Sequence, residues 1–298
     1  MFDLRYHVAS LAAVFFALVI GILVGVALAS HGLGNTERDR LQEDLRRATA
    51  HGDSLQAQLD ELQQAGAADG AFVEQTYRTV MQDRLEGKRI AVLFVGPRDT
   101  NLRKHITQTL SDAGAGEPVR VRALDVPINV AGINRVIAKR PFLGAYAGRK
   151  QLTNLGQALG QEFAAGKETP LWNALNSVIV GETTGSLKQP ADGIVVVRTA
   201  TAQTGPTARF LKGLYAGIGD VGAPVVGVDV SDGDRSSIEA FQKAELSTVD
   251  NVDMPTGKLA LAIMLADPTV TGNFGDGDKT DGFLPTLPAV TTTTTTGG

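Results

Sequence analysis

From Val8 to Ser30 the chain runs for 23 residues without a charged side chain. As a helix rising about 1.5 Å per residue, such a run spans a hydrocarbon layer about 30 Å thick, with room for tilt. Residues 8–30 therefore read as a transmembrane helix behind a short N-terminal tail, 1–7. The competing reading is a cleaved signal peptide, because Ala27-Leu28-Ala29 before Ser30 has the A-x-A form of a cleavage site. The run is longer than the usual apolar region of about 7–15 residues, and Arg5 alone makes a thin basic leader, so an uncleaved signal anchor is favoured. Along it Ala9, Ala13, Ala17, Gly21, Gly25 and Ala29 recur every fourth residue, with Gly21 and Gly25 forming a GxxxG. A stripe of small residues lets two helices approach closely in lipid, which points to self-association through Ala13, Ala17, Gly21 and Gly25.

The charges beyond the anchor leave its orientation open. Arg38, Arg40, Arg46 and Arg47 follow it and only Arg5 precedes it, which by count favours a cytoplasmic domain. Those arginines alternate with Glu37, Asp39, Glu43 and Asp44, and long domains translocate largely regardless of charge.

Residues 35–66 form the next pattern. Leu41, Leu45, Ala48, Gly52, Leu55, Leu59 and Leu62 are spaced 4-3-4-3-4-3, an a/d seam with polar residues between. The spacing predicts a coiled-coil stalk in a parallel dimer or higher oligomer, started by Asn35 or Thr36 and ended by Gly66 and Gly70. Ala48 and Gly52 are poor knobs, and a single amphipathic helix packed on its own domain is the alternative. A helix is also expected over 71–86.

The remainder, 71–270, reads as one α/β domain. Apolar runs at 88–96, 119–126, 193–198, 223–230 and 247–249 alternate with helical stretches at 99–113, 149–165, 168–177, 206–217, 236–244 and 256–265. Continuous Val/Ile runs between helices predict a mostly parallel sheet covered on both faces. Ten-residue alternating strands with aromatic girdles are missing and aromatics are 5% of the chain, so a transmembrane β-barrel is not expected. Residues 271–298, Gly/Asp-rich and closing on a run of Thr, read as a disordered tail.

Composition narrows the chemistry. A net charge of −4 is against nucleic-acid binding. With no Cys, four His and four Met, thiolate sites are excluded and soft-metal ligands are few. No P-loop, no dinucleotide fingerprint after the first strand and no Ser/His/Asp constellation is seen, so no catalytic residues are assigned. Ligands of open α/β sheets sit at the carboxyl ends of strands. There Asp232, Asp234, Asp250, Asp253 and Met254 cluster, as candidates for a cation site or as ordinary turn and cap residues, the reading preferred. Asp276, Asp278 and Asp281 fail the spacing of a calcium loop.

The opening MFDLRYHVASLAAVFFALVIGILVGVAL and the later STVDNVDMPTGKLALAIML resemble the actinobacterial family of the mycobacterial copper transport protein B, over nearly the whole chain. The resemblance implies an envelope protein with its main domain outside the cytoplasm, in the outer membrane. It also implies a pore-forming or channel role in copper efflux and resistance, with copper ions as the transported species. Relatives are also linked to cell-wall and septal control through a membrane-protein partner. A dimeric envelope scaffold, with indirect copper effects, is therefore the alternative.

Overall fold

The computed structural model describes residues 4–31, 34–231, 236–277 and 279–286. The chain divides into two units, 1–70 and 71–298. In the first lie helix α1, Leu4–His31, and most of helix α2, Gly34–Met81. Within α1 the segment Ser10–Ala27 is long and apolar enough to cross a membrane, by length and composition. The glycines expected to end the stalk helix do not end it, because α2 runs through Gly66 and Gly70. Each costs only about 1 kcal/mol of helix propensity. Tyr77 and Met81, in the last turns, are buried in the second unit's core, which favours continuing the helix.

The second unit is a seven-stranded sheet in the order β3-β2-β1-β4-β5-β6-β7. The strands are β1 Ile90–Val95, β2 Arg120–Leu124, β3 Val180–Gly185, β4 Gly193–Arg198, β5 Val225–Val228, β6 Ser247–Val249 and β7 Asn273–Phe274. All neighbours are parallel except β2 and β3. The sheet is open, with β3 and β7 at its edges, and is not a closed barrel. Its helices are α3 Thr100–Asp112, α4 Val130–Ala138, α5 Leu152–Ala165, α6 Pro170–Ile179, α7 Gly205–Gly219, α8 Ser236–Gln242 and α9 Pro255–Ala266.

Alternation along the strands builds two cores. Ala91, Leu93 and Val95 of β1, with Ile194 and Val196 of β4, face α4 to α8. Ile90, Val92 and Phe94, with Val195 and Val197, face α3, α9 and the end of α2. Both faces are thus covered, which explains why β1 and β4 read as continuous apolar runs.

Three elements escape the sequence reading: α4, the polar edge strand β3, and β7. The last corrects the expectation of disorder from residue 271, since Asn273–Phe274 pairs with β6 and Phe274 bridges Gly282. Asp250 anchors the segment, its carboxylate accepting the N–H groups of Asp276 and Gly277, both at 3.1 Å. Residues 287–298 lie outside the described residues.

Candidate functional site

Strand order reverses between β1 and β4, the place where doubly wound sheets open a crevice for ligands. Here the crevice is occupied by the protein's own loops. The N–H groups of Thr199 and Ala200 donate to Val95 O at 3.1 and 3.2 Å, and Thr199 Oγ1 donates to Pro97 O at 2.5 Å. Gly96 has φ +110°, and a Cβ there would lie 2.7 Å from Thr199 Oγ1 and 2.8 Å from Ala200 N. The glycine thus serves the closure of loop on loop. Beside it Arg98 Nε meets the Glu182 carboxylate at 2.9 Å, and Asp99 caps α3 by accepting from Asn101 N and Leu102 N.

The acidic corner follows β5 and β6. Asp253 accepts from Ser231 N at 2.8 Å and from Ser231 Oγ at 2.6 Å. Burial pushes the Asp253 carboxyl up, but the Ser231 hydrogen bonds and the charge of His105 outweigh it and hold the pKa below the ordinary value. Asp250 is buried and spends its carboxylate on the 276–277 backbone. Met254 is exposed at the N-cap position of α9. Asp232 and Asp234 lie outside the described residues. Among the described residues no group of three or more His, Asp or Glu could hold a metal ion. In the described part of the corner the carboxylates of Asp250 and Asp253 accept backbone N–H groups from segments more than 20 positions away, and they tie loops together. His105 on α3 is half-buried, and its Nδ1 is buried without a hydrogen-bond partner among the described residues.

The Ser231–Asp253 pair makes a pH prediction. A depressed folded-state pKa adds stability above the unfolded value, about 3.9, and that stability is lost as pH falls through the folded value. Ser231→Ala is expected to cost about 1–2 kcal/mol at pH 7. The difference from wild type should shrink in urea melts run progressively below pH 4. A difference as large at pH 2.5 as at pH 7 would show that Ser231 stabilises through something other than the carboxylate.

Two residues that the sequence reading did not single out are buried on β2. Arg120 donates to Ala164 O at 3.1 Å and also to Gln189 O, and its guanidinium carbon lies 5.4 Å from the centre of the Phe163 ring. Arg122 donates to Val121 O at 2.8 Å and Thr184 O at 2.7 Å. Burial first, then the charges of Arg122 and Arg89, lower the pKa of Arg120 to about 10. These guanidinium groups pin β3 and the loop after it to the sheet.

The anchor residues Ala13, Ala17, Gly21 and Gly25 are exposed along α1, and a Cβ at either glycine would meet nothing within 4 Å. Leu41, Leu45, Leu55, Leu59 and Leu62 are 47–68% exposed along α2. Both sets are apolar or small surfaces that the single chain leaves open.

Comparison with known proteins bears on these surfaces. The family model for the copper transport outer membrane protein MctB matches residues 1–285. The copper transporter MctB of Mycobacterium tuberculosis (strain ATCC 25618 / H37Rv) is 26% identical over 312 aligned residues, which take in 92% of this chain and 95% of the relative. The copper transporter MctB of Mycobacterium bovis (strain ATCC BAA-935 / AF2122/97) matches with the same identity and coverage.

Proposed function

Because this chain belongs to the family of the copper transport outer membrane protein MctB, we propose that it is a membrane-anchored envelope protein acting in copper efflux and copper resistance, as one component of a pore-forming assembly. The observation that carries this reading is the extent of the family match, which takes in the apolar helix, the stalk helix and the α/β unit together. No enzymatic step is assigned. The α/β unit lies outside the cytoplasm in this reading, and the anchor holds it to the membrane.

The fold constrains how such a protein handles its cargo. An open sheet encloses no channel, and one apolar helix lines no pore by itself. Passage of copper ions therefore calls for several chains, whose anchors pack through Ala13, Ala17, Gly21 and Gly25 and whose stalks pack through the leucines. Without thiolates, the ions cross hydrated or on a partner's ligands rather than on cysteines of this chain.

Deletion of the gene is expected to raise cellular copper several-fold in copper-supplemented medium, and the purified protein in planar bilayers is expected to conduct cations. Normal copper content together with electrically silent bilayers would overturn the efflux reading. Protease access to the 71–270 domain in intact cells tests the sidedness, and fractionation of the envelope tests the membrane.

The exposed leucines of α2 favour a second reading, an envelope scaffold that binds a membrane-protein partner of the cell-wall or septal machinery. Copper tolerance would then follow from envelope assembly. The two readings part at the bilayer, because a scaffold predicts a co-purifying partner without conductance.

A further inference from the structure

Between Val126 and Gln161 the chain carries five cationic side chains, Arg135, Lys139, Arg140, Arg149 and Lys150, and no Asp or Glu, although the whole protein is acidic at −4. Helix α4 and the two 3-10 turns that follow it, Pro141–Tyr146 and Arg149–Gln151, hold or flank all five. Folding gathers them. Arg135 and Lys139 lie four positions apart at the end of α4 and so share a face. Gly148 N donates to Asn134 Oδ1 at 3.4 Å, which brings Arg149 back towards Arg135. Four of the five are exposed, and the half-buried Arg140 donates to Ala174 O at 3.2 Å. Among the described residues none of the five forms an ion pair with a carboxylate. Helix α6, whose Ala174 and Val178 border this region, has no charged residue.

Helix stability explains only part of this pattern. Arg135 and Lys139 suit the C-terminal end of α4, where the helix dipole is negative. Arg149 and Lys150 stand immediately before α5, at the positive end of its dipole, where carboxylates are favoured and the first turn holds none. The charge there works against the helix. Phe142 supplies the second observation. It is 63% exposed, while Leu143 beside it is 1% exposed and fixes the turn to the core. An aromatic ring is thereby held outward between Arg140 and Arg149. Cations around an exposed aromatic are what a protein surface needs to settle on an anionic bilayer, the charges meeting head groups and the ring entering the acyl boundary.

We propose that the face formed by α4 and the two turns after it binds the surface of an anionic phospholipid bilayer, with the cations on head-group phosphates and Phe142 at the acyl boundary. A soluble polyanion would use the charges but leave Phe142 in water. A protein partner would call for a larger apolar centre than one ring. A fluid bilayer needs no matching shape, which suits cations spread over three elements. The proposal rests on the anchor reading, which puts the chain at a membrane, and is independent of copper efflux. It gives the α/β unit a membrane contact of its own, besides the one that the anchor makes.

The test uses the full-length protein with its anchor in nanodiscs of neutral phosphatidylcholine, mixed with vesicles of phosphatidylcholine alone or with about 30% phosphatidylglycerol. Loaded discs are expected to float with the anionic vesicles at least about tenfold more than with the neutral ones, and to be released by high salt. Arg149→Glu combined with Lys150→Glu should lower flotation at least about tenfold and leave the thermal melt unchanged or raised, because carboxylates suit the start of α5. Phe142→Ala should lower it about fivefold. In Phe142→Trp, brominated lipid in the anionic vesicles should quench the added indole, while Trp172, buried in the core, stays bright. Equal flotation with neutral vesicles, indifference to the charge reversal, or an unquenched indole would overturn the proposal. So would binding of soluble polyphosphate by discs that do not float. Chain that fails to enter the discs would overturn the anchor and the proposal with it, whereas loaded discs that stay down overturn the proposal alone.

Discussion

Gly213→Ala is expected to destabilise the α/β unit by about 3 kcal/mol or more, an unusually large loss for one added methyl group. Helices α5 and α7 approach backbone to backbone across four glycines. A Cβ at Gly156 would collide with Phe210 O and one at Gly160 with Leu214 O. From the other side, a Cβ at Gly213 would collide with Thr153 O and one at Gly217 with Gln157 O. The obstacles are main-chain carbonyls of regular helices, so no side-chain rotamer relieves them. The helices must part, and parting loosens the core they share with Leu155, Leu159, Phe210 and Leu214. The reciprocal pattern also predicts strong non-additivity. Once Gly213→Ala has separated the helices, Gly156→Ala adds little, so the double variant should fall well short of the sum. Gly219 at the end of α7 is the control, since a Cβ there meets nothing within 4 Å. Gly219→Ala should be neutral or stabilising by up to about 1 kcal/mol. Urea melts followed by near-ultraviolet dichroism of Trp172, which is buried against α5 through Phe163 and Leu159, would read all four variants. A Gly213→Ala protein as stable as wild type would mean that the two helices are not in backbone contact.

The same helices show what sequence reasoning sees and misses. The four-residue spacing of Gly156 and Gly160, and of Gly213 and Gly217, matches the spacing that marks the anchor. In the anchor it stands out against an uncharged run. In α5 and α7 it is hidden among polar neighbours, and which helix faces which is a non-local fact. Strands β1 and β4 were legible because burial on both faces demands unbroken apolar runs. Strand β3, Val-Gly-Glu-Thr-Thr-Gly, is an exposed edge and carries no such signature. In β2 the alternation Arg120-Val121-Arg122-Ala123 marks a strand but suggests that the arginines face water. They are buried where carbonyls from the 184–189 segment and Ala164 accept from their terminal nitrogens, and those partners lie more than 40 positions away. In the acidic corner, the Asp-rich loop around Asp253 was readable from local residue types. Its pairing with Ser231 across two strands was not.

The other large effect concerns assembly, and the absence of cysteine makes it directly measurable. If the stalks pair in parallel and in register, residue 48 of one chain faces residue 48 of its partner. Ala48→Cys then introduces a single thiol that can only form an intermolecular bridge, and mild oxidation should give a covalent dimer nearly quantitatively. Antiparallel pairing would separate the two thiols and give none. Adding Leu45→Pro to that background should lower the yield about tenfold or more. Proline removes a helix hydrogen bond and clashes with the preceding turn, costing about 3 kcal/mol in each chain. It also removes one of five leucines whose burial would each contribute about 1.5–3 kcal/mol. Leu59→Pro should act alike from the other end of the seam. The anchor supplies the remaining attraction by concentrating the stalks in one membrane, so Gly21→Ile with Gly25→Ile should weaken bridging less than either proline. A dimer that bridges equally well with proline at 45 would place the contact elsewhere, and the leucines of α2 would then have another partner to cover them. Where the proline variants lose both bridging and copper tolerance, assembly through the stalk is what efflux depends on. Where bridging is lost and tolerance stays intact, efflux does not depend on pairing of the stalks, and any assembly rests on the anchors.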